Sequence, residues 1–200
     1  MLAPAAGALG RLVTILSRGC FVRVVTGSTV RQLLVEQFHV DPGYLEREIK
    51  IVFLDSSPVD DLDAAVVRDG ATLALSAAMP GLVGAAMRRD GPSWLRASIT
   101  HHETTLARPV AEGFVFLKLF NQVMQDLGGG FFRRGVYVEA PALAAFFERM
   151  DERFWQACPV DFNHATLTPG ALVEQLAGRA PWLRLSVPPE APGPTRYPWT

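Results

Sequence analysis

With 200 residues, 49% of them hydrophobic, the chain can build one large or two small folded domains, and bulk disorder is excluded. Its formal net charge of −1 supplies no electrostatic reason to expect nucleic-acid binding. There is no run of 18 uncharged apolar residues, so no membrane span is expected, and the two cysteines, Cys20 and Cys158, suit reduced thiols in a cytoplasm.

The N-terminal stretch has no basic n-region and is broken by Gly7, Gly10 and Arg11, so no signal peptide is expected. Residues 1–10 read as a flexible lead. RLVTILSRG predicts a first strand, and Gly19 and Cys20 turn the chain into a second, FVRVVTG. A helix then starts at Ser28 or Thr29 as N-cap, with Val30, Leu33, Leu34 and Phe38 on one face. DPG at 41–43 redirects the chain. IKIVFLD predicts a buried strand, Val59 begins a short return strand, and the Asp69-Gly70 turn leads into a strand from Thr72 to Ser76.

PGLVGAAMRRDG predicts a short helix over about 82–89 that docks on a core. SWLRASITHHETT fits helix or strand, and ARPVAEG a loop. FVFLKLFNQVMQDLGGG places Phe116, Leu119, Phe120, Val123 and Leu127 on one helical face, with Gly128 to Gly130 as the C-cap. RGVYV suits a short strand. APALAAFFERMDERFWQAC predicts one helix, packed on residues 114–127, with Leu143, Phe146, Phe147, Met150, Phe154 and Trp155 as its apolar stripe. TPGALVEQLAGRAPW gives a last helix, and SVPPEAPGPTRYPWT, with five prolines, reads as an extended mobile tail.

The order strand, strand, helix, strand, short strand, strand predicts a mixed sheet packed on one helix. With GSTVRQLL opening the helix, IVFLDSSPVDD as strand and turn, and VRDGATLALSAAM closing, residues 11–80 resemble the sulfur-carrier family. That family includes the thiamin-pathway carrier and the small subunit of molybdopterin synthase. The resemblance implies a ubiquitin-like β-grasp domain at 11–80; the residue patterns beyond it predict a mainly helical region at 81–185 and a Pro-rich mobile tail at 186–200, so an α+β chain is expected.

The family's chemistry resides in a C-terminal glycine carboxylate, which is adenylated and converted to a thiocarboxylate. Here Gly81 and Gly84 stand at the equivalent place, inside AAMPGLVG, and both are amide-linked to the following chain. A peptide carbonyl cannot be adenylated. The first reading is therefore a non-catalytic interaction protein that takes a protein partner, with no cofactor. A second is a carrier precursor, cut after Gly81 or Gly84. A third is a metal-dependent enzyme using His101, His102, Glu103, Cys158 and His164, with Asp161 nearby; these are ligand types for zinc or iron. Against it, adjacent histidines on a strand point to opposite faces. Cys158 and His164 also suit a thiol–imidazole pair if they meet. GGG at 128–130 lacks the lysine and hydroxyl residue of a phosphate loop. The pairs Arg88–Arg89 and Arg133–Arg134 suit solvated faces or an anionic ligand.

Overall fold

Residues 6–92, 94, 96–104, 110–162, 165–177 and 181–188 are described by a computed structural model. Helix α1 (Ala6–Leu12) runs into a 3-10 turn (Val13–Ser17). Strand β1 (Cys20–Val25) leads to α2 (Val30–Gln32), which widens into a π-helical turn (Leu33–Gln37). Then come α3 (Pro42–Arg47), β2 (Ile51–Leu54), β3 (Ser57–Pro58), β4 (Thr72–Ser76) and α4 (Gly81–Ala86). The second half holds β5 (Glu112–Phe120), α5 (Asn121–Arg134), β6 (Val136–Glu139), α6 (Ala140–Phe147) and α7 (Glu152–Ala157). A small hairpin, β7 (Asp161–Phe162) and β8 (Ala165–Thr166), precedes α8 (Pro169–Ala177) and β9 (Trp182–Leu185).

Seven strands form one mixed sheet in the order β3-β2-β4-β5-β1-β6-β9. Only β4 and β5 run parallel; the other neighbours are antiparallel. Alternation sets the two faces. Cys20, Val22, Val24, Leu73, Leu75, Val115, Leu117 and Leu119 are buried on one face, beneath the helices. Phe21, Arg23, Phe114, Phe116 and Lys118 fall on the other.

Several sequence expectations hold. Thr29 caps α2 through a capping box with Gln32, and Val30, Leu33 and Leu34 are fully buried. The strands at 51–54, 72–76 and 136–139 form where expected. Phe38 is only partly buried, edge-on to Phe131 at 4.9 Å, because the wider π turn carries it to the rim of the core.

Other segments differ. RLVTILSRG is helical, with Leu12, Val13, Ile15 and Leu16 buried against the sheet and α5. The residues expected as a flexible lead include the start of α1. FVFLKLF is strand: its near-continuous apolar run is compatible with either period, and partners on both edges decide for strand. The helix begins at Asn121 and passes straight through the three glycines to end at Gly135, at φ 90°. APALAAFFERMDERFWQAC is two helices, because the Asp151 carboxylate accepts the Phe154 N–H at 2.9 Å and starts a new one. α6 packs chiefly on α8 and β6 rather than on 114–127. The region expected to be mainly helical supplies three strands to the sheet, and β5 lies between β4 and β1. Residues on both sides of position 80 thus share one sheet and one core. Residues 189–200 of the Pro-rich segment lie outside the described residues.

Gly128 has a packing role. A Cβ there would sit 2.6 Å from Val13 Cγ1 and 2.8 Å from Val13 Cβ, so α5 and the 3-10 turn touch through the bare backbone. Gly128→Ala is expected to lose about 1–3 kcal/mol by overpacking, despite alanine's better helix propensity. Gly129→Ala, whose Cβ would meet only the Leu9 side-chain tip at 3.3 Å, should be neutral or gain up to about 1 kcal/mol. Denaturant midpoints of the two variants on either side of the parent's would establish this contrast.

Candidate functional site: the open face of the sheet

The segment around Gly81 and Gly84, expected to correspond to a carrier tail, is built into the fold. Gly81 takes φ 78° at the turn that opens α4, a conformation that favours glycine. A Cβ at Gly84 would collide with the Met79 carbonyl oxygen at 2.0 Å. Both glycines thus have local geometric roles. After α4 the chain is tied down: Arg89 N–H bonds to the Lys50 carbonyl at 2.8 Å, and Arg89 pairs with Glu46 at 2.7 Å. Arg96, 1% exposed, pairs with Asp60 and donates to the Ala86 carbonyl at 2.8 Å. The short helix was expected to dock its apolar residues on the core. Instead Leu82 and Val83 are 85% and 65% exposed, and Gly84 faces inward. Only a bare backbone fits against Met79, so the close approach is made there. The peptide bonds after Gly81 and Gly84 are expected to stay intact in the source cell, giving one mass across this segment; a species ending at either glycine would revive carrier chemistry.

The set His101, His102, Glu103, Cys158 and His164 is only partly visible, since His164 lies outside the described residues. His101 Nε2 is 3.7 Å from Glu103 Oε2, while His102 is exposed. Glu103 is engaged elsewhere: it pairs with Arg68 at 2.5 Å and accepts the Val66 N–H at 3.1 Å. Among the described residues, no group of three or more His, Cys, Asp and Glu side chains is placed to hold a metal ion. Cys158 is fully buried and burial pushes its thiol up to about 11; Cys20 is likewise buried and pushed up to about 12. Both stay protonated near neutrality and are poor nucleophiles.

The face opposite the helices carries what sequence reasoning missed. Phe114 and Phe116 on β5, Phe21 on β1, Tyr137 on β6 and Trp182 on β9 form one aromatic cluster across four adjacent strands. Phe21 is the hub, with ring centroids 4.7 Å from Trp182, 5.0 Å from Phe116 and 6.5 Å from Phe114. Phe114 stands edge-on to Tyr137 at 5.4 Å and is 39% exposed. Lys118 lies 5.6 Å from the Phe116 ring, and Arg23 pairs with Glu112 at the border. Gly19, at φ 105°, makes room: a Cβ there would sit 2.3 Å from Phe116 Cζ. The signal lay in FVFLKLF read with period two, which puts Phe114, Phe116 and Lys118 together and Val115, Leu117 and Leu119 opposite.

No family model, curated protein or solved structure matches this chain.

The aromatic face is suited to holding a flat apolar surface, with Lys118 and the Arg23–Glu112 pair as polar border. Among the described residues no helix is long and apolar enough to cross a membrane.

Proposed function

We propose that this chain is a non-catalytic β-grasp-type module of the cytoplasm that binds a protein partner on the open face of its sheet. The observation that carries this reading is the aromatic cluster of Phe21, Phe114, Phe116, Tyr137 and Trp182, contiguous across four strands. Contiguous exposed apolar patches with a polar border mark interaction sites, and tyrosine and tryptophan are enriched among the residues that dominate binding energy. Aromatic faces also stack nucleic-acid bases, but that mode needs a cationic track for phosphates. Here Arg23 is paired with Glu112 and the chain as a whole is at −1.

The β-grasp part of the reading draws support from strand order. β1, the helix starting at Val30, β2, β3 and β4 follow in the family's sequence, with β2 and β5 flanking β4. The place beside the closing strand, parallel to it, belongs in that fold to the first strand of the chain. Here β5 takes it, from beyond residue 110. We read this as the β-grasp sheet in permuted order, extended at one edge by β6 and β9.

Phe114→Glu tests the binding face. Phe114 is 39% exposed but makes two ring contacts, so the change should cost about 1–2 kcal/mol and lower the thermal midpoint modestly while the fold is retained. Proteins retained from the source lysate by the parent, and by a Glu36→Lys control on the helical side, should be lost with Phe114→Glu. An identical retained set for all three chains, or none for any, would count against this face.

A further inference from the structure

We propose that a pocket on the helical layer, separate from the open face, binds a small organic anion: a carboxylate on an aromatic or short aliphatic body. The cavity, about 320 Å³, lies between the end of the π turn and α5. That size is at the lower end for small-molecule sites, so the ligand is small.

Its floor is apolar: Phe38 and Val40 on one side, Leu127 and Phe131 on the other. Leu127, Gly130, Phe131 and Arg134 recur at i, i+3, i+4 and i+7, so one face of α5 forms the wall. Gly128 and Gly129 abut Val13 and Leu9, as described above. Gly130 instead lines the cavity. Glycine in a helix interior is unfavourable, and keeping the space open gives this one a reason.

The rim is cationic. Arg134 donates from Nη1 and Nη2 to the Gln37 carbonyl, and its guanidinium lies 5.3 Å over the Phe38 ring. A guanidinium has five N–H donors, so donors remain for a ligand. Burial lowers its pKa. Among the described residues no carboxylate is paired with Arg134, and a guanidinium over an apolar floor favours an anion. His39, on the same rim, holds φ 58°, a left-handed helix-end position that ordinarily favours glycine.

The test is ligand-observed NMR on the full chain with benzoate and hexanoate, against their neutral counterparts benzamide and hexanamide. The carboxylates should bind roughly tenfold more tightly than the amides, about the factor one charge-assisted hydrogen bond supplies. Arg134→Gln should erase that preference while leaving amide binding unchanged. Gly130→Leu should abolish binding of all four probes and melt no lower than the parent, since leucine is the better helix former. Equal binding of acids and amides, or no binding of any probe at about 10 mM, a level that already admits very weak complexes, overturns the proposal. So does binding that survives Gly130→Leu. The chain continues past Val187, whose N–H bonds to the Phe132 carbonyl at 3.1 Å, beside this helix. Probe binding seen only after deletion of residues 189–200 would assign the pocket to the chain's own tail and equally overturn a free ligand. Loss of partner binding through Phe114→Glu should leave these titrations unchanged, so the two readings fail separately.

Discussion

A chain ending at residue 80, the length a free carrier would have, is expected not to fold. β1 and β4 do not touch each other; β5 stands between them and pairs with both, over Cys20–Val25 on one side and Thr72–Ser76 on the other. Removing β5 leaves both strands with open edges and takes Val115, Leu117 and Leu119, all fully buried, out of the core. At about 1.5–3 kcal/mol for each side chain, those three alone contribute about 5–9 kcal/mol, comparable with the whole stability of a typical domain at about 5–15 kcal/mol. The loss of α5 and β6 adds to this. Circular dichroism should show no cooperative melt for the 1–80 chain. Conversely, a cut within residues 81–104 of the full chain should leave two fragments that stay associated. A cooperative transition in the 1–80 chain would show that the first part folds alone.

Asp60→Ala is expected to destabilise the protein by about 3 kcal/mol, the lower end of the range for breaking a buried ion pair. Arg96 is the reason. Its side chain is 1% exposed, and its Nε and Nη2 both donate to Asp60 Oδ1, at 2.8 and 2.5 Å. Thr100 Oγ1 donates to the other carboxylate oxygen at 2.8 Å. Without Asp60 the guanidinium keeps its bond to the Ala86 carbonyl but is left as a buried, uncompensated charge. The side chain of Asp60 is itself 31% exposed, which lets water reach the vacated site and limits the loss. The strain should be relieved locally, by release of the connection between α4 and His101. Denaturant titration measures the total, and faster proteolysis within 81–104 locates it. Asp60→Ala with an unchanged midpoint would mean that Arg96 finds water without the fold opening.

Residues 20–76 were largely legible in the sequence because their signals are local. Thr29 with Gln32 is a capping pair four residues long, and Val30, Leu33 and Leu34 mark a face by spacing alone. Asp69-Gly70 before Thr72 is turn chemistry, with Gly70 at φ 76°. Cys158, a candidate ligand and nucleophile by residue type alone, is buried like Cys20, a fact about tertiary packing that no local signal carries.

Tertiary structure decided the rest. RLVTILSRG has the β-branched residues of a strand, yet the place beside β4 is occupied by β5, so the segment buries Val13, Ile15 and Leu16 as a helical turn instead. FVFLKLF is apolar on both faces, so no period could choose its state; two neighbouring strands supply the hydrogen bonds that fix it. GGG reads locally as a helix end, but Gly128 lets α5 touch Val13 and Gly130 lines a pocket. The aromatic face draws Phe21, Phe114, Tyr137 and Trp182 from four strands spread over 162 positions of the chain, 21 to 182 inclusive. Local sequence fixes capping, turns and the burial rhythm of each element, because those depend on near neighbours. Which strand lies beside which depends on competition between distant segments for the same backbone donors and acceptors, and only the folded sheet resolves it.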